Sequence, residues 1–152
     1  MIEKASGTDI PKILEIEKHL FSDPWDKALF EAAVDAEDKY FFVEKQNGET
    51  AGYIIFERVL DEGHITNLAV SKDDQRRGIA SKLVNHVLDI AKGSGIKEIF
   101  LEVRHSNEAA IKLYNKFGFA AIGRRKGYYQ KANDDALVLK LDLSGEKIEG
   151  GS

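Results

Sequence analysis

The sequence ITNLAVSKDDQRRGIASKLVNHVL, residues 65–88, decides the fold. Its β-rich start belongs to a predicted strand over residues 64–70, and the polar loop 71–75 follows. Beyond the loop, apolar residues recur at the three- and four-residue spacing that is typical of an amphipathic helix. The recurring positions are Ala80, Leu83, Val84, Val87, Leu88 and Ala91. The stretch therefore predicts a strand, an exposed loop and a helix with one buried face.

The next segment completes a strand–helix–strand unit. Gly93 and Gly95 end the helix, because glycine adopts the left-handed backbone that closes helices. Residues 96–104 are a second strand, with Ile99, Leu101 and Val103 on one face. The sequence thus predicts a parallel, right-handed crossover over residues 65–103.

Upstream of this unit, Thr8 and Asp9 before Pro11 indicate a helix start. The Ser-Asp-Pro of residues 22–24 ends that helix and caps a second one over 25–34. Two β-rich runs, 40–44 and 51–57, flank an Asn-Gly pair, which is a strong hairpin signal.

Downstream, Asn107 caps another helix, and Gly118 ends it. Residues 119–125 and 136–143 close the chain as a hairpin. The predicted order is βααβββαβαββ, an α/β fold with a sheet of mixed direction. We expect one domain over residues 1–143 and a flexible, Gly-rich tail over 144–152.

Composition excludes several classes of function. The chain has 152 residues, a net charge of -4 and no Cys, so disulfide frameworks, Cys-ligated metals and a cysteine acyl-enzyme are excluded. The 4 His lack metal-site spacing, and we expect no metal. No export signal or membrane-length apolar run is present, so we expect a cytoplasmic protein without a membrane partner. The acidic balance argues against direct nucleic-acid binding.

The strongest chemical signal is the loop Gln-Arg-Arg-Gly-Ile-Ala at residues 75–80. Backbone N–H groups at a helix start lie at the positive end of the helix dipole and bind anions. Gly78 lets the backbone approach a phosphate, and Arg76 and Arg77 add positive charge. The loop matches neither a Walker loop nor the dinucleotide fingerprint. Phosphate binding is one interpretation, and a solvated basic turn with a packing glycine is the other.

The loop and its flanks resemble a known family. Residues 68–70 (Leu-Ala-Val) with 75–80 resemble motif A of the GNAT superfamily of acetyl-CoA-dependent N-acetyltransferases, and 101–119 resembles motif B. With Asp-Pro-Trp at 23–25 and Tyr-Tyr at 128–129, the pattern resembles the branch of the superfamily that acetylates the N-terminal alanine of a ribosomal protein. The resemblance implies a mostly antiparallel mixed sheet, flanked by helices, with a central parallel strand pair.

The resemblance also implies roles for individual residues. Glu102 would be the general base, directly or through water, and Tyr114 the general acid. Trp25, Tyr128 and Tyr129 would line the acceptor groove. The residues that would bind acetyl-CoA are Leu68, Ala69, Val70, Arg76, Arg77, Gly78, Ile79, Ala80, Ser81 and Asn107. Ala80 stands where many relatives carry a second glycine, which the family pattern allows.

Elementary chemistry agrees with these roles. Glu102 lies near the end of its strand, where ligands of open α/β sheets bind, and an attacking amine must lose a proton. Tyr114, with a reference pKa of about 10, carries a proton that it can donate. The alternatives are a solvated strand-face glutamate for Glu102 and a core aromatic for Tyr114. For Trp25, Tyr128 and Tyr129 the alternative is surface packing of aromatic rings.

The implied reaction is direct acetyl transfer, in a ternary complex, to the N-terminal alanine of a small-subunit ribosomal protein. One alternative is an N-acetyltransferase of broader peptide, lysine or small-amine specificity, because acceptor loops vary most. A second is a non-catalytic CoA-binding regulatory module, since a fold does not fix a function.

Overall fold

The computed structural model describes residues 1–129, 131 and 133–144. Helices and strands follow the predicted order in these residues, with short 3-10 turns at Gly7–Asp9 and Lys72–Asp74. The elements are β1 (Ile2–Lys4), α1 (Ile10–Leu20), α2 (Lys27–Asp35), β2 (Lys39–Gln46), β3 (Glu49–Val59), β4 (Glu62–Val70), α3 (Ile79–Gly93), β5 (Glu98–Arg104), α4 (Glu108–Lys116), β6 (Ala120–Tyr129) and β7 (Asp134–Asp142).

The strand order is β1-β2-β3-β4-β5-β7-β6, mostly antiparallel with β4 and β5 parallel. The predicted mixed α/β sheet is therefore confirmed. The chain divides into two compact units, which we describe separately: Met1–Glu57 with Ile65–Asp89, and Arg58–His64 with the chain from Ile90 onward. The single domain over 1–143 stays a prediction. Apart from Ser144, the predicted tail 144–152 lies outside the described residues.

In the first unit, α1 and α2 belong to the same apolar core cluster as residues of β2 and β3. The β2–β3 hairpin turns at Asn47 and Gly48, both with positive φ (53° and 81°), as the Asn-Gly pair predicts. Helix α2 starts two residues later than predicted. The reason is Asp26, whose side chain accepts a hydrogen bond from the Leu29 amide at 3.0 Å and so caps the helix.

Gly52 on β3 brings two parts of the first unit close together. A Cβ at this position would lie 2.9 Å from the Ala69 carbonyl oxygen and 3.1 Å from Ile79 Cγ2. No side chain fits without a backbone shift. Glycine here therefore sets how closely β4 and the start of α3 approach β3.

In the second unit, β7 pairs antiparallel with both β5 and β6. Ile99, Leu101 and Val103 are buried, as predicted, so Glu102 lies on the opposite, exposed face of β5. The Asn107 side chain accepts a hydrogen bond from the Ala110 amide at 3.1 Å and caps α4. Gly118 follows the helix with φ 100°. The predicted cap, helix and stop are confirmed.

Candidate functional site

The loop between β4 and α3 is held by its own hydrogen bonds. Ser71 Oγ donates to Asp74 Oδ2 at 2.5 Å, and Gln75 Nε2 donates to the Val70 carbonyl at 3.2 Å. The Ser71 amide donates to the Ala51 carbonyl of β3 at 2.7 Å. These bonds tie the loop to two strands, so its shape is preformed.

The loop has the shape of an anion cradle. Arg76 and Gly78 both adopt left-handed backbone, with φ of 68° and 76°, and α3 starts directly afterwards at Ile79. Around Gly78 the space where a Cβ would stand has no heavy atom within 4 Å. The Arg76 and Arg77 side chains are exposed, and Arg77 Nη1 lies 3.5 Å from Asp74 Oδ1. Open backbone, a helix start and two cations fit a phosphate group.

The residues predicted to bind acetyl-CoA fall into both units. Leu68, Ala69 and Val70 form the end of β4, with Ala69 and Val70 buried, and residues 76–81 follow them in the first unit. Asn107 belongs to the second unit, where its Oδ1 already caps α4. Its contact with the cosubstrate stays a prediction.

Glu102 lies on the exposed face of β5, in the second unit. Its side chain is 33% exposed, and Arg125 Nε lies 3.6 Å from its Oε2.

Tyr114 on α4 is 5% exposed, and its ring packs edge-on against Phe119 with centroids 5.5 Å apart. Burial first, and then the neighbouring Tyr129, raises the pKa of the Tyr114 hydroxyl. The hydroxyl therefore keeps its proton throughout the neutral range. Tyr114 can therefore pack its ring in the core and still use its hydroxyl as a proton donor.

Tyr129 lies within electrostatic range of both predicted catalytic groups. Burial raises its pKa to about 12, with contributions from Tyr128 and Glu102, while Arg104 opposes the shift. Arg104 lies 5.0 Å from the centre of the Tyr129 ring. The structure thus brings together Glu102, Tyr114 and Tyr129, which we call the Glu102 cluster.

Tyr128 adjoins this cluster. The Tyr128 ring packs edge-on against the Tyr129 ring, with 5.0 Å between the two centroids. The Arg125 guanidinium lies 5.4 Å from the centroid of the Tyr128 ring. At 47% exposure Tyr128 is available to a ligand. The sequence predicts both tyrosines as site residues but not Arg125, which lies on β6 and approaches Glu102 of β5 with β7 between the two strands.

Trp25 belongs to the first unit, where its ring packs on Phe30 with centroids 5.3 Å apart. The packing alternative is therefore correct for part of the ring, and its acceptor role stays a prediction. The Trp25 amide donates to Glu17 Oε2 at 3.0 Å. Sequence reasoning missed Glu17, although it lies four residues after Ile13 on the apolar stripe of α1.

The described residues contain no group of His, Asp or Glu side chains placed to hold a metal ion. In the same part of the chain, every helix is too short or too polar to cross a lipid bilayer.

Comparisons with known proteins agree with this arrangement. The chain is 36% identical over 145 residues to the ribosomal protein bS18-alanine N-acetyltransferase of Escherichia coli K12, covering 94% of this chain and 97% of that protein. It is 31% identical over 140 residues to the N-alpha-acetyltransferase RimI of Mycobacterium tuberculosis, covering 88% and 87%. The crystal structure of the Escherichia coli S18-alanine enzyme matches with a TM-score of 0.87 and 35% identity, covering 95% and 94%.

The model of the acetyltransferase (GNAT) family matches residues 10–119. The predicted superfamily and the predicted use of acetyl-CoA are thereby confirmed. The chain belongs to the acetyltransferase (GNAT) family and is an acetyl-CoA-dependent N-acetyltransferase.

Proposed function

We propose that this enzyme acetylates the N-terminal amine of a protein, and that its acceptor is the N-terminal alanine of the small-subunit ribosomal protein bS18. The observation that carries the chemistry is the Glu102 cluster, in which Tyr129 interacts electrostatically both with Glu102 and with the buried, protonated Tyr114. The acceptor follows from relatives that carry this name and match nearly the whole chain.

The first unit would hold the cosubstrate, and acetyl-CoA supplies the acetyl group as an activated thioester. The backbone of Leu68, Ala69 and Val70 would align the pantetheine arm. Residues 76–81 would hold the pyrophosphate, because the preformed loop offers backbone amides and two arginines to an anion. Asn107 would add a contact from the second unit.

The second unit would manage the protons. Glu102 takes a proton from the incoming ammonium, directly or through one water molecule, and the free amine attacks the thioester carbonyl. A C–N bond forms and the C–S bond breaks. Tyr114 donates its proton to the departing sulfur, and the nitrogen releases its second proton to solvent to give the neutral amide. Tyr114 regains a proton from solvent, and Glu102 releases the one that it took. No Cys is present to carry the acetyl group, so transfer is direct within a ternary complex.

Aromatic residues would line the acceptor groove. Tyr128 and Tyr129 adjoin Glu102 and combine an apolar ring with a polar hydroxyl, which suits a short peptide terminus. Trp25 would contribute from the connection between α1 and α2.

The test is release of free thiol from acetyl-CoA in the presence of peptides that begin with Ala and copy the bS18 terminus. We expect turnover on these peptides and an added acetyl group on their α-amine by mass spectrometry. The matched control is the same peptide with its α-amine blocked and a lysine retained. Activity on lysine or small amines alone would support the broader-specificity alternative. CoA binding without thiol release on any amine would support the non-catalytic module.

The proposed acceptor also predicts where the enzyme works. A ribosomal protein is made and assembled in the cytoplasm, so we propose a cytoplasmic location, with the acceptor protein rather than nucleic acid or membrane as the direct partner.

A further inference from the structure

Glu17 is a carboxylate in the interior of the first unit, and the proposed reaction does not use it. It is 2% exposed and lies on the face of α1 that carries the buried Ile13 and Ile16. An ionised carboxylate in such a place is strongly destabilising unless hydrogen bonds replace its lost water. Its partners therefore indicate why it is there.

Three donors from different segments meet at this carboxylate. Oε2 accepts from the Trp25 amide at 3.0 Å. Oε1 accepts from the Tyr53 hydroxyl at 2.5 Å and from Asn67 Nδ2 at 3.1 Å. Burial and the adjacent Glu17 raise the pKa of Tyr53, so its hydroxyl stays protonated and donates. Both carboxylate oxygens are thus in use as acceptors.

The partners lie at two functional positions. Trp25 belongs to the connection between α1 and α2, residues 21–26, which we call the acceptor loop. Asn67 directly precedes Leu68, the first residue of the β4 segment proposed to align the pantetheine arm. The Glu17 carboxylate is therefore hydrogen-bonded both to the acceptor loop and to β4, the strand proposed to align the pantetheine arm.

The loop depends on this carboxylate more than the strands do. Strand β3 is held in a hairpin with β2 and approaches β4 closely at Gly52. Helix α1 is held by its apolar stripe. Trp25 has a ring contact with Phe30 and lies outside any helix or strand. Loss of the Glu17 acceptor therefore acts first on the acceptor loop.

We propose that Glu17 is a positioning residue for the acceptor: it fixes the acceptor loop against β4 so that Trp25 stands at a set distance from the bound cosubstrate. This inference rests on the proposed function, in which Trp25 lines the acceptor groove. Glu17 itself contacts no substrate.

The experiment compares Glu17→Gln with Tyr53→Phe. Glutamine has one acceptor atom, and two donors face the Oε1 position, so its carbonyl turns to them and its NH2 group opposes the Trp25 amide. Tyr53→Phe removes the hydroxyl that donates to Glu17 Oε1 but leaves the hydrogen bond from the Trp25 amide to Glu17 Oε2 intact. Both variants disturb the buried cluster, and only the first releases the loop.

For Glu17→Gln we expect KM for the bS18-type peptide to rise about tenfold, since the partly buried Trp25 amide loses its acceptor and faces an opposing NH2 group. KM for acetyl-CoA and kcat should stay within about twofold. Trp25 is the one tryptophan of the chain, so intrinsic fluorescence reports on the loop directly. Its emission should shift to the red and quench more readily with acrylamide in Glu17→Gln, and remain as in the wild type in Tyr53→Phe.

Two results would overturn the proposal. In the first, folded Glu17→Gln has the peptide KM and the Trp25 emission of the wild type. In the second, Glu17→Gln and Tyr53→Phe change these two quantities equally. If Glu17→Gln does not fold, amide hydrogen exchange of the wild type decides, because the Trp25 amide must be protected about a hundredfold or more. Exchange at the unprotected rate overturns the proposal. Fluorescence and exchange need no acceptor, so a wrong acceptor assignment leaves them unchanged and is distinguished from a wrong role for Glu17.

Discussion

The loop before α3, which we propose holds the pyrophosphate, and the Glu102 cluster are assembled by different means. The loop residues 75–80 are neighbours in sequence, and Gln75 is hydrogen-bonded to the end of β4, while Ser71 before them is hydrogen-bonded to β3. The Glu102 cluster gathers single residues from β5, α4 and β6. A contiguous loop tolerates loss of one contact, because the others still bind the ligand. A cluster in which each member has a separate chemical task does not.

The largest effect should follow from changing the Glu102 cluster. Glu102→Gln and Tyr114→Phe should each lower kcat by about 10²–10⁴-fold, because proton transfer is lost, and should leave the Kd for acetyl-CoA nearly unchanged. Steady-state kinetics and calorimetric titration measure the two quantities. Glu98→Gln is the matched control, since Glu98 lies on the same face of β5 but pairs with Lys140 at 2.7 Å. Wild-type rates in both catalytic variants would disprove the assignment.

A smaller effect is expected from the loop, and it should appear in binding. Gly78→Glu places a carboxylate in the anion cradle and should weaken acetyl-CoA binding about 10- to 100-fold, with kcat at saturation little changed. Gly78→Ala is the control, because it introduces the same strain at φ 76° without the charge. Equal affinities of the two variants would show that strain, rather than anion binding, controls this position.

Buried and exposed charges should contribute unequally to stability in the two units. Asp9 in the first unit is 4% exposed; burial alone would raise its pKa, but Lys45, the Ser6 amide and Thr50 lower it overall. Asp9→Asn should therefore lower the free energy of unfolding by about 2 kcal/mol at neutral pH. Asp135 on β7 has a side chain that is 23% exposed and is bound by Arg124 and the Gly127 amide; it is the matched control, with a smaller expected loss.

The pH dependence of this difference follows from the direction of the shift. A lowered folded pKa gives stability that is complete above the unfolded value of about 3.9 and is lost as pH falls through the folded pKa. The difference between wild type and Asp9→Asn in urea unfolding should therefore shrink below about pH 4. A difference that persists in acid would assign the stability to packing instead.

The smallest effect concerns salt. The chain carries a net charge of -4, so cationic ribosomal peptides should be attracted, and kcat/KM on them should fall a few-fold as salt rises through the physiological range. A neutral peptide that begins with Ala serves as control and should respond less. If kcat/KM on cationic peptides did not change with salt, the net charge of the enzyme would not contribute to acceptor binding.

The sequence predicted best what neighbouring residues determine. The loop, the stripe of α3 and the Asn-Gly turn each depend on residues within a few positions of one another. Helix α2 started later than predicted because capping by Asp26 competes with the earlier Ser-Asp-Pro signal. The face that carries Glu102 was predictable from alternation along β5.

Residues whose role depends on distant contacts were missed. Gly52 has an ordinary backbone conformation, so nothing local requires glycine there. The need for glycine is explained by the Ala69 carbonyl oxygen, which would lie 2.9 Å from a Cβ at this position. Glu17 resembles any helix glutamate until its three donors are known, although its position on an apolar stripe was a usable signal. Arg125 on β6 reaches Glu102 on β5 across the intervening strand β7, and no spacing rule predicts that contact.

The left-handed backbone of Arg76 places folding and ligand binding in opposition. A side chain at φ 68° destabilises the folded state by about 1 kcal/mol relative to glycine. Arg76→Gly would recover that stability and remove a cation from the site that we propose for the pyrophosphate. Selection for heat resistance alone would therefore favour losing this arginine, and an enzyme engineered for stability should be checked at this position for weakened cosubstrate binding.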